Sequence, residues 1–444
     1  MTRLFGTDGV RGVANADLTP ELVVRLAQAS AATISHTSNK VVIGRDTRVS
    51  GPMLEMALAV GFASAGLDVL LAGVVPTPAI SFLIKDEIAD YGAVVSASHN
   101  PPEDNGIKLF SGDGMKLPLD VEEEIERAMA GEPGRSASIG RISQVDAAAE
   151  RYAAFLTGAI EIDDIDLSGT SIVVDCAFGA TSTIAPRVFR HLKATVIELH
   201  TEHSGEKINE ACGTSDLAPL RKAVTGHGAD LGIAFDGDGD RVLLVAEDGT
   251  VIDGDTILGI AGRYYAKHRS LSPKVIVTTV MSNQGLEATL ADCGIRVLRT
   301  DVGDRNVAWE MRRLGAKIGG EQSGHIIFRD HSLTGDGILT AVKMLEIAHD
   351  LGQPLGRLAA HIERHPQIKG NLPVGNPHAF VARCDVRSAI EEEAERLGNA
   401  GRLLVRPSGT QPRVRILVEA DQAALAKTTF ARLDQRLREL IEDR

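Results

Sequence analysis

Short apolar runs alternate with amphipathic stretches along most of this chain. Lys40 to Gly44, 68–72 and Gly92 to Val95 read as buried strands, and 20–35, 51–66 and 78–88 between them as helices. Thr19-Pro20 followed by Glu21 is a helix start signal. A charged amphipathic helix over Asp120 to Met129 and another over 146–160 continue the series. Further strands are predicted at Ser171 to Asp175, 194–199, Ala229 to Phe235, Val242 to Ala246, Lys274 to Thr279, 295–299 and Ala316 to Gly320. Strands and helices taken in turn indicate mostly parallel α/β sheets. Three of these α/β units end a strand in a short loop of small and polar residues, which predicts a structural repeat without gross sequence identity. From about residue 370 the pattern changes: strands 402–405 and 413–419 flank a polar loop, and an amphipathic helix over 421–441 closes a small α+β domain. With a first break at Gly131-Glu132-Pro133-Gly134-Arg135-Ser136, the expected domains are 1–150, 151–254, 255–367 and 368–444.

Length alone, 444 residues with 43% hydrophobic, allows roughly three core-forming domains. Lys plus Arg number 47 against 60 Asp plus Glu, a formal net charge of -13, which disfavours a nucleic-acid partner. No signal-peptide apolar region opens the chain, and no apolar run approaches the ~20 residues that span a bilayer. Cys176, Cys212, Cys293 and Cys384 are scattered without a CxxC pair, as expected of reduced, mostly buried thiols in a cytoplasmic protein.

The loops carry the chemistry. Val94-Val95-Ser96-Ala97-Ser98-His99-Asn100-Pro101-Pro102 breaks from an apolar run into small polar residues and stops at two prolines, which cannot extend a strand. It puts Ser98 and His99 on an exposed loop at a strand's C-terminal end, where open α/β sheets place ligands. A serine there can carry a group covalently, although the loop alone also fits a plain polar turn. Asp236-Gly237-Asp238-Gly239-Asp240-Arg241 sets three carboxylates within five residues, which repel one another unless a cation sits between them. Oxygen-only donors favour Mg²⁺ or Ca²⁺ over zinc, and Mg²⁺ takes few protein carboxylates plus a phosphate oxygen, so the loop implies a phosphorylated partner. An EF-hand does not fit: Glu247 stands at its twelfth position, but the sixth holds Arg241 and Val242 to Ala246 reads as a strand. A solvated acidic turn is the plain alternative.

Arg406-Pro407-Ser408-Gly409-Thr410, with Arg413 and Arg415 beyond it, gathers hydroxyls, a close-approach glycine and guanidinium forks that suit a phosphate. Taken alone it is equally an ordinary turn with surface arginines. Glu321, Ser323 and His325 offer donors and acceptors for sugar hydroxyls, and a tight turn explains that stretch as well. Lys108, in Asn105-Gly106-Ile107-Lys108, lies ten residues past Ser98 and has the reach to return to the same cleft. A serine, a three-carboxylate Mg²⁺ loop, a polar ring-binding loop and a phosphate grip together describe phosphoryl transfer on a sugar phosphate.

At this point the sequence resembles the α-D-phosphohexomutases, and within them the bacterial phosphoglucosamine mutases. The resemblance covers essentially the whole chain through Phe5–Gly12, Gly44–Gly51, Ser96–Lys108, Asp236–Arg241, Gly319–His325 and Arg406–Pro412 in order. The subgroup rests on Gly6-Thr7-Asp8-Gly9-Val10-Arg11-Gly12, on Ser96-Ala97-Ser98 and on Glu321-Gln322-Ser323. The resemblance implies three similar mixed α/β domains and a mobile α+β cap around a central cleft. It implies that Ser98 is a phosphoserine, with one Mg²⁺ held by Asp236, Asp238, Asp240 and a phosphoserine oxygen. Glu321 and Ser323 would bind sugar hydroxyls, and Arg406, Ser408, Gly409, Thr410 and Arg415 the non-reacting phosphate. Arg11, Lys108, Arg241 and His325 carry over as charge stabilisers or proton-transfer groups.

The implied reaction interconverts glucosamine 6-phosphate and glucosamine 1-phosphate, on the route to UDP-N-acetylglucosamine. Its bisphosphate intermediate turns over inside the closed cleft. A sugar 1,6-bisphosphate activator or autophosphorylation would prime Ser98. A phosphoglucomutase or phosphomannomutase of the same mechanism is the near alternative, and a non-catalytic sugar-phosphate sensor the distant one. The expected partner is thus a small hexosamine phosphate, with neither nucleic acid nor membrane; the oligomeric state stays open, a homodimer among the options. Two positions depart from the family pattern: Gln411 stands where the phosphate loop usually has Glu, and Asn306 where this subgroup more often has an aromatic residue.

Overall fold

The computed structural model describes residues 4–6, 8–35, 37–131, 136–162, 165–408 and 412–442. Two compact units result, Met1–Ser282 with Leu290–His361, and Asn283–Thr289 with Ile362–Arg444.

The first unit holds three sheets. Strands β1 (Phe5–Gly6), β2 (Gly9–Val13), β3 (Lys40–Arg45), β4 (Asp68–Val74), β5 (Tyr91–Val95), β6 (Asp104–Ser111) and β7 (Ile142–Gln144) form the first, in the order β1-β2-β6-β5-β3-β4-β7. The second contains β8 (Ser171–Asp175), β9 (Thr195–Leu199), β10 (Leu231–Phe235), β11 (Val242–Ala246) and β12 (Val251–Ile252), ordered β12-β11-β10-β8-β9. The third runs β14-β13-β15-β16, from β13 (Val275–Thr279), β14 (Arg296–Thr300), β15 (Ile318–Gly320) and β16 (Ile326–Phe328). Central strands such as β5, β10 and β13 are buried along their whole length and mostly apolar, as strands covered by helices on both faces must be. The first helix, Pro20–Thr33, starts where the sequence signals it: Thr19 accepts a hydrogen bond from Leu22 N, and proline opens the first turn.

The expected repeat lies in the pairing. In each sheet a strand belonging to the parallel set turns back through a short loop into an antiparallel partner: β5 into β6, β10 into β11, β15 into β16. The three motif loops, around Ser98, Asp236–Arg241 and Glu321–His325, are these three turns. The same local solution, built three times, delivers a different functional group each time.

The second unit is a small antiparallel sheet, β17 (Gln367–Pro373), β18 (Gly401–Pro407) and β19 (Arg413–Ala420), in the order β17-β19-β18. Helices Cys384–Leu397 and Ala423–Glu442 bury Val386, Leu397, Leu433 and Leu437 with Val414, Ile416 and Val418. Among the described residues no helix is long and apolar enough to cross a membrane. The four cysteines are free; Cys176 and Cys212 are buried, Cys293 half-buried and Cys384 exposed.

Candidate active site

The loop after β5 is anchored from below. Arg48 is fully buried and donates to the carbonyls of Ser98 at 3.0 Å, Asn100 at 2.8 Å, Asp104 at 2.8 Å and also Pro101. Its Nε bonds Asp46 at 3.0 Å, and Asp46 accepts from Ser96 Oγ at 2.6 Å, which in turn accepts from Ser98 N at 2.9 Å. Asn209 Nδ2 adds bonds to Ser98 O at 2.8 Å and Asn100 O at 3.1 Å. So held, Ser98 sits in the left-handed region at φ 53, where a non-glycine residue persists only when its surroundings over-determine it.

One expectation is corrected here. Ser98 is buried, 1% exposed, rather than on an open loop; only His99 beside it faces solvent. The cause is the close approach of the loop after β10: a Cβ on Gly237 would stand 2.8 Å from Ser98 O and 2.8 Å from Asn209 Nδ2. Glycine there lets the two loops touch.

Ser98 Oγ donates to Asp236 Oδ2 at 2.6 Å. Asp236, Asp238 and Asp240 are buried, each with a ligand oxygen within 4.8 Å of the others. Lys108 reaches them because β6 returns antiparallel to β5, with Val94 opposite Lys108. Its Nζ lies 2.7 Å from Asp238, 3.3 Å from Asp240 and 3.2 Å from Asp8. Burial and the charges of Asp240 and Asp238 push Asp236 well above the usual carboxylate range. Burial works the same way on Asp240, but Lys108, His325 and Arg241 together outweigh it and hold Asp240 well below that range. Asp238 Oδ1 and Asp240 Oδ1 are buried without a hydrogen-bond partner among the described residues. A set of buried, under-compensated oxygens with two unused acceptors fits a hard divalent cation.

The other groups close around this centre. Arg241 N donates to Asp236 Oδ1 at 3.1 Å, and its Nη1 to His99 Nδ1 at 3.0 Å, which leaves the His99 proton on the other ring nitrogen. Arg11 bonds Ala97 O at 3.2 Å and Asn100 Oδ1 at 3.0 Å and pairs with Asp8. His325 Nδ1 lies 3.7 Å from Asp240, and its Nε2 accepts from Gly335 N at 3.0 Å. Glu321, on the turn after β15, accepts from Gly303 N at 3.2 Å and from Ser323 Oγ at 3.5 Å. Ser98, Lys108, Arg11, Arg241, His325, Glu321, Ser323 and the three aspartates therefore belong to one unit. Sequence reasoning missed Asp8, Asp46, Arg48, Thr77, Lys116, Asn209 and Asp304. Thr77 donates from Oγ1 to Asp238 Oδ2, and Lys116 pairs with both Asp8 and Asp304.

In the second unit, Arg406 and Arg415 are direct cross-strand partners on β18 and β19, so their side chains share one face. Ser408 donates from its backbone N to Arg413 O at 2.9 Å, and its buried Oγ has no hydrogen-bond partner among the described residues. Gly409, Thr410 and Gln411 lie outside the described residues, as does Thr7 of the first motif.

Four family models match in succession: "Phosphoglucomutase/phosphomannomutase" alpha/beta/alpha domain I over residues 2–135, domain II over 150–249 and domain III over 253–365, then the C-terminal domain over 362–436. The chain is 48% identical over 434 residues to the phosphoglucosamine mutase of Carboxydothermus hydrogenoformans, covering 96% of this chain and 97% of that one. Among solved structures, a phosphoglucomutase/phosphomannomutase family protein from Burkholderia thailandensis superposes with a TM-score of 0.84 at 26% identity, covering 99% of this chain and 98% of that chain. The Aspergillus fumigatus N-acetylphosphoglucosamine mutase, solved in complex with GlcNAc-6P and magnesium, shares the fold with a TM-score of 0.72 at 17% identity, covering 99% and 96%.

Proposed function

We propose that this chain, which belongs to the phosphoglucosamine mutases of the α-D-phosphohexomutase family, interconverts glucosamine 6-phosphate and glucosamine 1-phosphate through a phosphorylated Ser98. The observation that carries the reading is a serine hydroxyl seated on a buried carboxylate cluster, Ser98 Oγ at 2.6 Å from Asp236, with Lys108 on Asp238 and Asp240 of the same cluster. A pure binding protein needs neither.

Asp236, Asp238, Asp240 and an oxygen of the phosphorylated serine would hold one Mg²⁺, which when bound neutralises charge on the transferring phosphoryl group. In the first transfer the 1-hydroxyl of glucosamine 6-phosphate attacks phosphorus. The new sugar O–P bond forms as the Ser98 Oγ–P bond breaks, and the hydroxyl proton passes to a base in the site. The 1,6-bisphosphate then turns, the Ser98 Oγ–P bond re-forms as the O6–P bond breaks, and the proton held by the base goes to the leaving 6-oxygen. Lys108, Arg11 and Arg241 supply positive charge where the phosphoryl oxygens need it, and His325 and Lys108 are the groups able to exchange a proton there. Glu321 and Ser323 bind ring hydroxyls. Arg406, Ser408, Gly409, Thr410 and Arg415 are assigned the non-reacting phosphate. The division into 1–150, 151–254, 255–367 and 368–444 is the matching proposal for the domains. A sugar 1,6-bisphosphate would serve as activator, and four free thiols suit a reducing cytoplasm.

The test is kcat/KM for glucosamine 6-phosphate, glucose 1-phosphate and mannose 1-phosphate on phosphorylated, Mg²⁺-loaded protein. The expected preference for the amino sugar is ~10-fold or more, about 1.4 kcal/mol of transition-state discrimination. Equal use of the neutral sugars would make the chain a phosphoglucomutase/phosphomannomutase. No turnover of any would leave a sugar-phosphate sensor.

A further inference from the structure

Beside the metal loop stand Asp304 and Lys116, to which the phosphoryl transfer above gives no role. Asp304 opens the helix Asp304–Leu314, with its side chain 12% exposed. Its Oδ1 accepts from Arg305 N at 2.8 Å; its Oδ2 meets Lys116 and lies 3.7 Å from His325 Nε2. Asp304, His325 and Asp240 each place a ligand atom within 4.8 Å of the others, so Asp304 borders the reacting centre. Gly303, the residue before it, gives its N–H to Glu321 at 3.2 Å. The carboxylates of Asp304 and Glu321 are therefore neighbours across one peptide unit.

Their charge balance differs. Lys116 is shared between Asp8 and Asp304. Asp8 also has Arg11 and Lys108. The guanidinium of Arg305 is engaged by Glu122 in a buried two-point pair. His325 Nε2, which accepts from Gly335 N, stands 3.7 Å from Asp304 Oδ2. Asp304, 12% exposed, meets Lys116 through Oδ2, and a carboxylate at the edge of the site gives an incoming ammonium an opposite charge.

We propose that Asp304 is the specificity determinant that binds the 2-ammonium of an amino-sugar phosphate; this rests on the mutase reading above. On a pyranose ring the 2-substituent stands next to the 3-hydroxyl. A carboxylate beside Glu321, which takes ring hydroxyls, is placed for that neighbouring substituent. An ammonium gives Asp304 a charge-assisted hydrogen bond, whereas the 2-hydroxyl of glucose gives only a neutral donor.

The test compares kcat/KM for glucosamine 6-phosphate and glucose 6-phosphate on the phosphorylated, Mg²⁺-loaded full chain. Wild type, Asp304→Asn and Glu321→Gln are measured. Asparagine keeps the acceptor for Arg305 N and removes the charge. It should cut the amino-to-neutral preference by about tenfold or more, while Glu321→Gln lowers both substrates together and leaves the preference in place. An Asp304→Asn enzyme with the wild-type preference overturns the assignment. Should that variant fold poorly, wild-type protein with 2-deoxyglucose 6-phosphate decides the question. A site that reads charge uses 2-deoxyglucose and glucose phosphates within a few-fold of each other. A gap between those two as large as the amino preference would mean neutral hydrogen bonding and overturn it. Wild type without any amino-sugar preference would remove the mutase subgroup itself before a variant is made, and this proposal with it.

Discussion

Replacing Arg48 by methionine keeps most of the aliphatic volume of a fully buried side chain and deletes its guanidinium. Four backbone carbonyls, of Ser98, Asn100, Pro101 and Asp104, lose that donor; Asn209 still reaches the first two. Asp46 loses its only ion-pair partner among the described residues. Burial already raises Asp46 against the pull of Arg48, so without it the carboxyl would take up a proton or stay charged at high cost. Removing one member of a buried pair costs about 3–5 kcal/mol. At about 2–4 °C per kcal/mol for a block of one or two hundred residues, the melting temperature should fall by on the order of 10 °C. The constraint that keeps Ser98 at φ 53 weakens at the same time, so kcat should fall more than KM rises. Scanning calorimetry and steady-state kinetics on phosphorylated protein read both effects. The double variant Asp46→Asn with Arg48→Met should recover part of the lost stability, because no lone charge remains. A melting temperature within ~2 °C of wild type, with unchanged kcat, would refute the claim that Arg48 organises the serine loop.

Three further perturbations test other parts of the account. Asp238→Asn should raise the Mg²⁺ concentration for half-maximal activity by about tenfold and move the thermal stabilisation that Mg²⁺ gives to concentrations higher by the same factor, since stabilisation follows occupancy; an unchanged titration would remove Asp238 from the metal site. Gly324→Ala should cost about 2–4 kcal/mol and displace the Glu321 turn, because at φ +93 its Cβ would stand 2.1 Å from Val242 O; retained activity and stability would contradict that geometry. Asp336, which accepts from Tyr152 OH at 2.7 Å and Leu339 N at 2.9 Å and lies near His325, is raised by burial from 3.8 to about 6. Its folded form holds the proton more tightly than the unfolded chain, so its contribution is fully present below pH 3.8 and is lost as pH rises through about 6. Asp336→Asn should gain on wild type by up to about 3 kcal/mol across that window, read as melting temperature against pH; parallel profiles would sink the assignment.

The central chemistry was legible because each piece is local. Three aspartates in five residues, a serine before two prolines and a Glu-Gln-Ser-Gly-His turn announce themselves without long-range information. The supports were not. Arg48 acts on carbonyls fifty residues away, and nothing in Arg45-Asp46-Thr47-Arg48 says which backbone it will hold. Lys116 and Asp304 are single charges in ordinary surroundings, joined only by folding. Lys108 looks like a surface residue until the β5–β6 turn returns it beneath the aspartates, and the burial of Ser98 depends on Gly237 of another sheet. Strand β17 escaped because Gln367-Ile368-Lys369-Gly370-Asn371-Leu372-Pro373 mixes glycine, asparagine and proline into a sheet edge, against strand propensity.

The most direct test of the account follows the phosphoryl group. Protein carrying ³²P at rest is mixed with unlabelled glucosamine 6-phosphate for a single turnover, beside Ser98→Ala treated in the same way. The account predicts label on Ser98 that passes to the sugar within one turnover, and a variant that takes no label and does not turn over. Label retained on the protein while product forms, or full turnover by Ser98→Ala, would contradict it.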